Sequence, residues 1–289
     1  MQDFWIAVLV GIVEGITEFL PISSTGHMLL VEQALGLELA TDEFWKLFTI
    51  VIQFGAILAV VVYYGSRLRE LTADFLAPRR LLADESAAGA AKCRVPRWRH
   101  PLVLVLAAVI PAGLVGVIFK KPIDRLMEHA LPIGLALIAG AVLIEVIERL
   151  CQGRGWVEDI SGVSPGQALG IGVAQIASLV PGVSRSASTI MGGMLVGLRL
   201  KAAADFSFLL SIPTMAAAAL YSLVKTRAAM DLHRWLVLAV GFVTAFVVAY
   251  VVVAWFLHYV RSHSFRLFVV YRIVLGLAVI AAWYCGWLH

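Results

Sequence analysis

The sequence predicts an all-α polytopic membrane protein with six transmembrane helices plus two re-entrant helical hairpins, arranged as an inverted-topology repeat. Three observations predict it: composition, the lengths of the apolar segments, and a polar, helix-breaking motif that occurs once in each half. Of 289 residues, 61% are hydrophobic and 15% charged, against roughly 45–50% and about 25% in soluble domains. Mean hydropathy is +0.91. That apolar surplus exceeds what a core could hide, so lipid must be the solvent.

A span needs about 20 mostly apolar residues. Six segments qualify, near 47–64, 102–119, 131–149, 205–224, 235–257 and 266–287. Two regions do not. In the first, an apolar stretch over 4–20 runs into Pro21-Ile22-Ser23-Ser24-Thr25-Gly26-His27, and a short apolar segment follows. The second opens at Pro165 and reaches Pro181-Gly182-Val183-Ser184-Arg185-Ser186, again with a short segment beyond. Each piece after the break has about 10–12 residues, or about 15–18 Å of helix, too short to cross. Irregular backbone at membrane depth is tolerated only where protein buries it or a polar cavity receives it.

The halves, about 1–149 and 165–287, each run hairpin, span, loop, span, span within a single membrane domain, 1–289. Glu18-Phe19-Leu20-Pro21 aligns with Ser178-Leu179-Val180-Pro181. Three spans per half is an odd number, so the second half is inverted, and a site is expected near the midplane where the broken helices meet. The side holding the 65–100 loop has twice as many Lys and Arg residues as the other. The positive-inside rule makes that loop cytoplasmic and both termini external. Its charge sets topology and implies no nucleic-acid partner. Cys93, Cys151 and Cys285 are far apart and suggest neither a disulfide framework nor a zinc site. Residues 1–20 lack a basic n-region and contain Glu14 and Glu18, which argues against a signal peptide.

Glu14 and Glu18 lie four apart, on one face of a helix. One ionised side chain at the bilayer centre costs about 2.5–3.5 kcal/mol, and two repel each other. Such a pair implies a metal ion, a shared proton or a cationic partner. Ser23, Ser24 and Thr25 exceed what N-capping requires. With Gly26 and His27 they offer a nucleophile, an acid/base and free backbone N–H groups where a helix begins and phosphate binds. Arg185, between Ser184 and Ser186 and after Gly182, presents a fork of donors suited to phosphate oxygens or to an ion pair with the glutamates. Arg272 lies about 9 Å into its helix from Arg266 and is expected to snorkel to the cytoplasmic surface.

The run Glu14-Gly15-Ile16-Thr17-Glu18-Phe19-Leu20-Pro21-Ile22-Ser23-Ser24-Thr25-Gly26-His27 resembles the first signature of bacterial undecaprenyl-diphosphate phosphatases, the bacitracin-resistance protein family. Pro181-Gly182-Val183-Ser184-Arg185-Ser186-Ala187-Ser188-Thr189 resembles the second, and Asp205-Phe206-Ser207-Phe208-Leu209-Leu210 also fits. The resemblance implies hydrolysis of undecaprenyl diphosphate to undecaprenyl phosphate and inorganic phosphate, which recycles the lipid carrier for cell-wall synthesis. It further implies a divalent cation, Mg²⁺ or Ca²⁺, a bacterial plasma (inner) membrane location, and a site opening toward the periplasmic or outer face. Undecaprenyl diphosphate and bilayer lipid are the expected partners, with room for a homo-oligomer. On that reading Glu14 and Glu18 bind the metal or manage protons. Ser24 is the first-choice nucleophile, with His27 its base or the acid for the leaving group; attack by His27 is the alternative. Thr25, Gly26, Gly182, Ser184, Arg185 and Ser186 hold the diphosphate. A polyprenyl-lipid transporter or flippase is the rival class, because inverted repeats with broken helices also build transporters.

Overall fold

The computed structural model describes residues 1–37, 42–77, 96–127, 129–225 and 230–288. The middle of the basic loop, 78–95, with Arg79, Arg80, Lys92 and Arg94, lies outside the described residues, as does Arg227.

Among the described residues, six helices are long and apolar enough to cross a bilayer: α3 (Glu43–Tyr63), α5 (Pro101–Ile118), α7 (Ala130–Cys151), α10 (Leu200–Lys225), α11 (Leu232–Tyr259) and α12 (Arg266–Tyr284). Each matches a predicted span to within a few residues. Their outward faces remain apolar. Leu106, Ile110, Leu114 and Val117 form an exposed stripe along α5, and Val270, Val274 and Leu277 one along α12. Spacings of three and four place each set on one helical face, which suits lipid rather than water. The chain is a multi-pass membrane protein.

Two short helices were not expected, α4 (Gly65–Leu76) and α6 (Lys120–Met127). The start of the predicted basic loop is therefore helical. Leu68 and Leu71 pack one side of α4 on the core, while Arg69 and Glu70 are exposed and Arg67 reaches Asp159 at 2.9 Å.

The two broken regions are helix–break–helix units. The first runs α1 (Gln2–Thr17), a break, then α2 (Ser24–Leu35). The second runs α8 (Pro165–Ala174), a 3₁₀ turn over Gln175–Leu179, then α9 (Arg185–Leu195). Pro165 opens α8, and Ser164 and Gln167 exchange backbone and side-chain bonds in a capping box. With 12 and 11 residues, α2 and α9 are each about 17–18 Å long. Neither crosses a membrane.

The packing exchanges the halves. α1 lies on α11 and α8 on α5, while α3 packs on α11 and, less extensively, on α10, and α7 packs on α12. Glycines permit the hairpin contacts. A Cβ on Gly11 would meet the Gly241 carbonyl at 2.8 Å, and Gly172 packs in the same way on the Ala108 carbonyl. The match between halves is one residue off the expected alignment of Pro21 with Pro181. Among the described residues only Ser23 (φ 71°) and Ser184 (φ 77°) combine a side chain with positive φ, and each precedes the second helix of its hairpin. They pair at the offset that also matches Gly11 with Gly172, Glu14 with Gln175 and Ser24 with Arg185. Proline fits several places in a break, so it anchors register poorly. A strained backbone turn is the better marker.

Candidate active site

Glu18 joins the two tips. Its Oε2 accepts the Ser24 hydroxyl at 2.7 Å, and its Oε1 accepts Arg185 Nη2 at 3.1 Å. The ion pair is nearly dry, with side-chain exposures of 12% for Arg185 and 10% for Glu18. The Arg185 guanidinium lies 5.5 Å from the ring centroid of the buried Phe19. Its Nη1 donates to the Ser207 carbonyl at 3.4 Å, and Nη2 lies 3.3 Å from Met215 Sδ. Ser207 and Met215 bracket the middle of α10, so the tips meet halfway along a span. Glu14, one turn before Glu18, is buried, and its Oε1 has no hydrogen-bond partner among the described residues. The same is true of Arg185 Nε and of both heteroatoms of the Gln175 amide. Buried polar groups are nearly always satisfied, by ordered water or a ligand where protein supplies no partner.

At the first tip, no side chain among the described residues caps α2, which leaves the N–H groups of its first turn available to an anion. Ser23 occupies the N-cap position and Thr25 is half-buried. Gly26 packs on Leu137 of α7. His27, expected as the base for Ser24 or the acid for the leaving group, turns its ring toward α12. Nδ1 lies 2.7 Å from the Ser23 carbonyl, and Nε2 lies 2.6 Å from the Tyr271 hydroxyl. A carbonyl only accepts, so Nδ1 carries the proton. In the neutral ring, Nε2 then accepts from Tyr271. The two rings stack nearly parallel, 2° apart in tilt. The partner within reach of the Ser24 proton is therefore Glu18. Nothing in the sequence singles out Tyr271, a tyrosine in an apolar span far along the chain.

At the second tip the hydroxyls organise backbone. Ser186 Oγ donates to the Leu20 carbonyl at 2.8 Å and ties one hairpin to the other. Ser184 must then donate to Ser186 Oγ, at 3.0 Å, while its own oxygen accepts the Ala187 N–H and caps α9. Thr189 bonds to Ser207 on α10. Gly182 has φ +94°, and a Cβ there would lie 2.6 Å from the Ile133 carbonyl. The structure thus places Glu14, Glu18, Ser24 and Arg185 in one cluster, with Ser184, Ser186 and Gly182 supporting it from behind.

Arg272 does not snorkel. It is fully buried, and Gly140 leaves room for its guanidinium. Nε donates to the Leu137 carbonyl at 3.2 Å, Nη1 to Pro21 and Val183 at 3.1 Å each, and Nη2 to Ala136 at 3.3 Å and Gly182 at 3.0 Å. Carbonyls freed by both breaks converge on this one side chain.

Residues 7–278 match the family described as Bacitracin resistance protein BacA. A Koribacter versatilis protein named undecaprenyl-diphosphatase is 41% identical, covering 97% of this chain and 98% of its own. A Thermoanaerobacter sp. protein of the same name is 44% identical, over 95% of this chain and 94% of its own. One from Aquifex aeolicus is 41% identical, over 96% and 97%.

Proposed function

Because the chain belongs to the bacitracin resistance protein BacA family, we propose that it hydrolyses undecaprenyl diphosphate to undecaprenyl phosphate and inorganic phosphate within the bilayer. One observation carries the reading: a single, nearly buried carboxylate, Glu18, receives both a hydroxyl and a guanidinium, from opposite hairpins. Phosphoryl transfer depends mainly on positioning and charge neutralisation, and this arrangement offers both.

Ser24 Oγ attacks the terminal phosphorus while its proton passes to Glu18 Oε2. The bond from that phosphorus to the bridging oxygen breaks, and undecaprenyl phosphate leaves with the oxygen. Water then attacks the phosphoserine, and Glu18 returns the proton to Ser24 Oγ. Inorganic phosphate leaves carrying the water's oxygen. Arg185 exchanges its bond to Glu18 for the phosphate oxygens, and the uncapped N-terminus of α2, with Thr25, receives the rest of the diphosphate. His27 reaches the leaving oxygen as an acid only if its bond to Tyr271 opens.

The residues suit a hard divalent cation, Mg²⁺ or Ca²⁺. Glu14 and Glu18 are oxygen donors one turn apart, and Glu14 Oε1 is buried without a hydrogen-bond partner among the described residues. Two carboxylates leave the other positions to phosphate oxygens and water, as Mg²⁺ commonly accepts. Such an ion would neutralise charge on the diphosphate. The basic ends of the spans face the cytoplasm of a bacterial inner membrane, and the site opens outward.

The test is phosphate release from undecaprenyl diphosphate by the purified protein in detergent. Wild type should release it, and Glu18→Gln should slow it by about 10²–10⁴-fold, the usual contribution of a general base. Ser24→Ala should fall at least as far. No release by wild type would exclude a hydrolase and leave a carrier. Near-normal release by Ser24→Ala would move the attack to His27 or water.

A further inference from the structure

A second polar recess, of about 780 Å³, lies away from the tips. It sits at the C-terminal ends of α7 and α11 and the beginnings of α10 and α12. Its lining begins eight residues beyond Leu137 on α7, about 12 Å along the helix. It shares no residue with the cluster around Glu18.

The charges in this recess are not balanced. Three acids line it, and all three are engaged. Glu145 holds Arg149 at 2.6 Å and Glu158 holds Arg199 at 2.7 Å. Glu148 gives both oxygens, at 3.0 Å, to the Phe265 N–H just before α12. By contrast Arg261 and Arg266 have no ion pair within 4 Å among the described residues, although Arg266 lies in the field of Glu148 and Arg261 in that of Asp205, and Lys201 reaches Asp205 at 4.0 Å. The starts of α10 and α12 add the partial positive charge of helix N-termini. A basic rim alone would only set topology. Here two cations without an ion pair, and a third held only at 4.0 Å, line a recess whose carboxylates are already taken. Met194, Leu198 and Val260 supply an apolar wall beside them. The volume is that of an ordinary small-ligand site.

We propose that this recess is a second, non-catalytic binding site for a phosphate group, held by Arg261, Arg266 and Lys201. Its two chemical sources are the headgroup of an anionic phospholipid and free inorganic phosphate. The position at span ends, with an apolar wall next to the cations, suits a headgroup whose chains remain in the bilayer. Anionic lipid is also drawn to basic clusters at this level. The proposal does not depend on the hydrolase reading, because phosphatidylglycerol is not the substrate of that reaction.

The experiment is native mass spectrometry of the purified full chain with phosphatidylglycerol, with inorganic phosphate, and with uncharged diacylglycerol as control. Wild type is compared with Arg261→Gln/Arg266→Gln, and Lys201→Gln supplies a milder, independent change. Arg185→Ala removes phosphate bound at the catalytic cluster from the comparison. Expected is at least a tenfold loss of affinity in the double variant, a smaller loss in Lys201→Gln, no loss of phosphatidylglycerol in Arg185→Ala, and unchanged phosphate release from undecaprenyl diphosphate by the double variant and by Lys201→Gln. A loss confined to phosphatidylglycerol identifies the headgroup as the source. A loss confined to inorganic phosphate, or shared by both, identifies the phosphate group alone as sufficient. Equal binding of both ligands by wild type and the double variant overturns the site.

Discussion

Arg272 places its five N–H donors on five carbonyls, from Pro21, Ala136, Leu137, Gly182 and Val183. Lysine would keep the charge but offers three donors and no fixed fork. Each buried carbonyl left without a donor costs about 1–3 kcal/mol. Arg272→Lys should therefore let the tips drift and lower phosphate release by more than tenfold, while the protein still inserts and purifies as a monodisperse species. Unchanged turnover would show that the tips hold their geometry without it. Along the chain, only the distance of Arg272 from the end of its own helix is legible. Its partners come from two breaks and from α7, which no local pattern connects to α12. Glu14, Glu18, Ser24 and Arg185 were legible because polar groups in apolar segments are costly enough to need a reason. Gln175 stood in an equally apolar stretch, but an uncharged amide carries less of that signal. Its match with Glu14 emerges only from the backbone register. Gln175→Leu removes buried polar atoms without hydrogen-bond partners, so stability should hold or rise. Turnover should nevertheless fall if the amide meets a ligand, and thermal unfolding measured beside phosphate release separates the two. For the carboxylate pair, cation titration followed by turnover and bound metal together should show activity lost in chelator. Restoration by Mg²⁺ or Ca²⁺ and weaker cation binding by Glu14→Gln should accompany it. Full activity in chelator would leave Glu14 and Glu18 as proton carriers only.

At the scale of elements, the six spans were readable because length and apolarity are properties of a single segment. The hairpins were readable because a helix of about a dozen residues cannot cross. The alignment of one hairpin with the other was not, since it depends on the φ values of Ser23 and Ser184 rather than on residue type. What the hairpins rest on was equally hidden. α8 approaches α5 closely enough that Gly172 has the Ala108 backbone where a side chain would begin. Gly172→Leu should push α8 outward and reduce both thermal stability and turnover, whereas Gly166→Ala, where a Cβ would meet nothing within 4 Å, should change neither. A Gly172→Leu protein as stable and active as wild type would mean that the α8–α5 contact does not set the tip position.

Across the whole molecule, the exchange of hairpins between halves has a consequence in time. α8 docks on α5, which the ribosome has already made. α1 docks on α11, which begins at Leu232. At about 5–20 residues per second, α1 waits on the order of 10–40 s for its neighbour. For most of that interval Glu18 has no Arg185, and throughout it α1, which carries Glu14, has no α11 to seal it from lipid or water. A nascent chain halted before residue 230 should therefore leave a cysteine at position 14 open to a water-soluble thiol reagent, and the finished protein should close it. Synthesis supplies the helices in one order and docking uses them in another, so the insertion machinery has to hold the first hairpin in reserve.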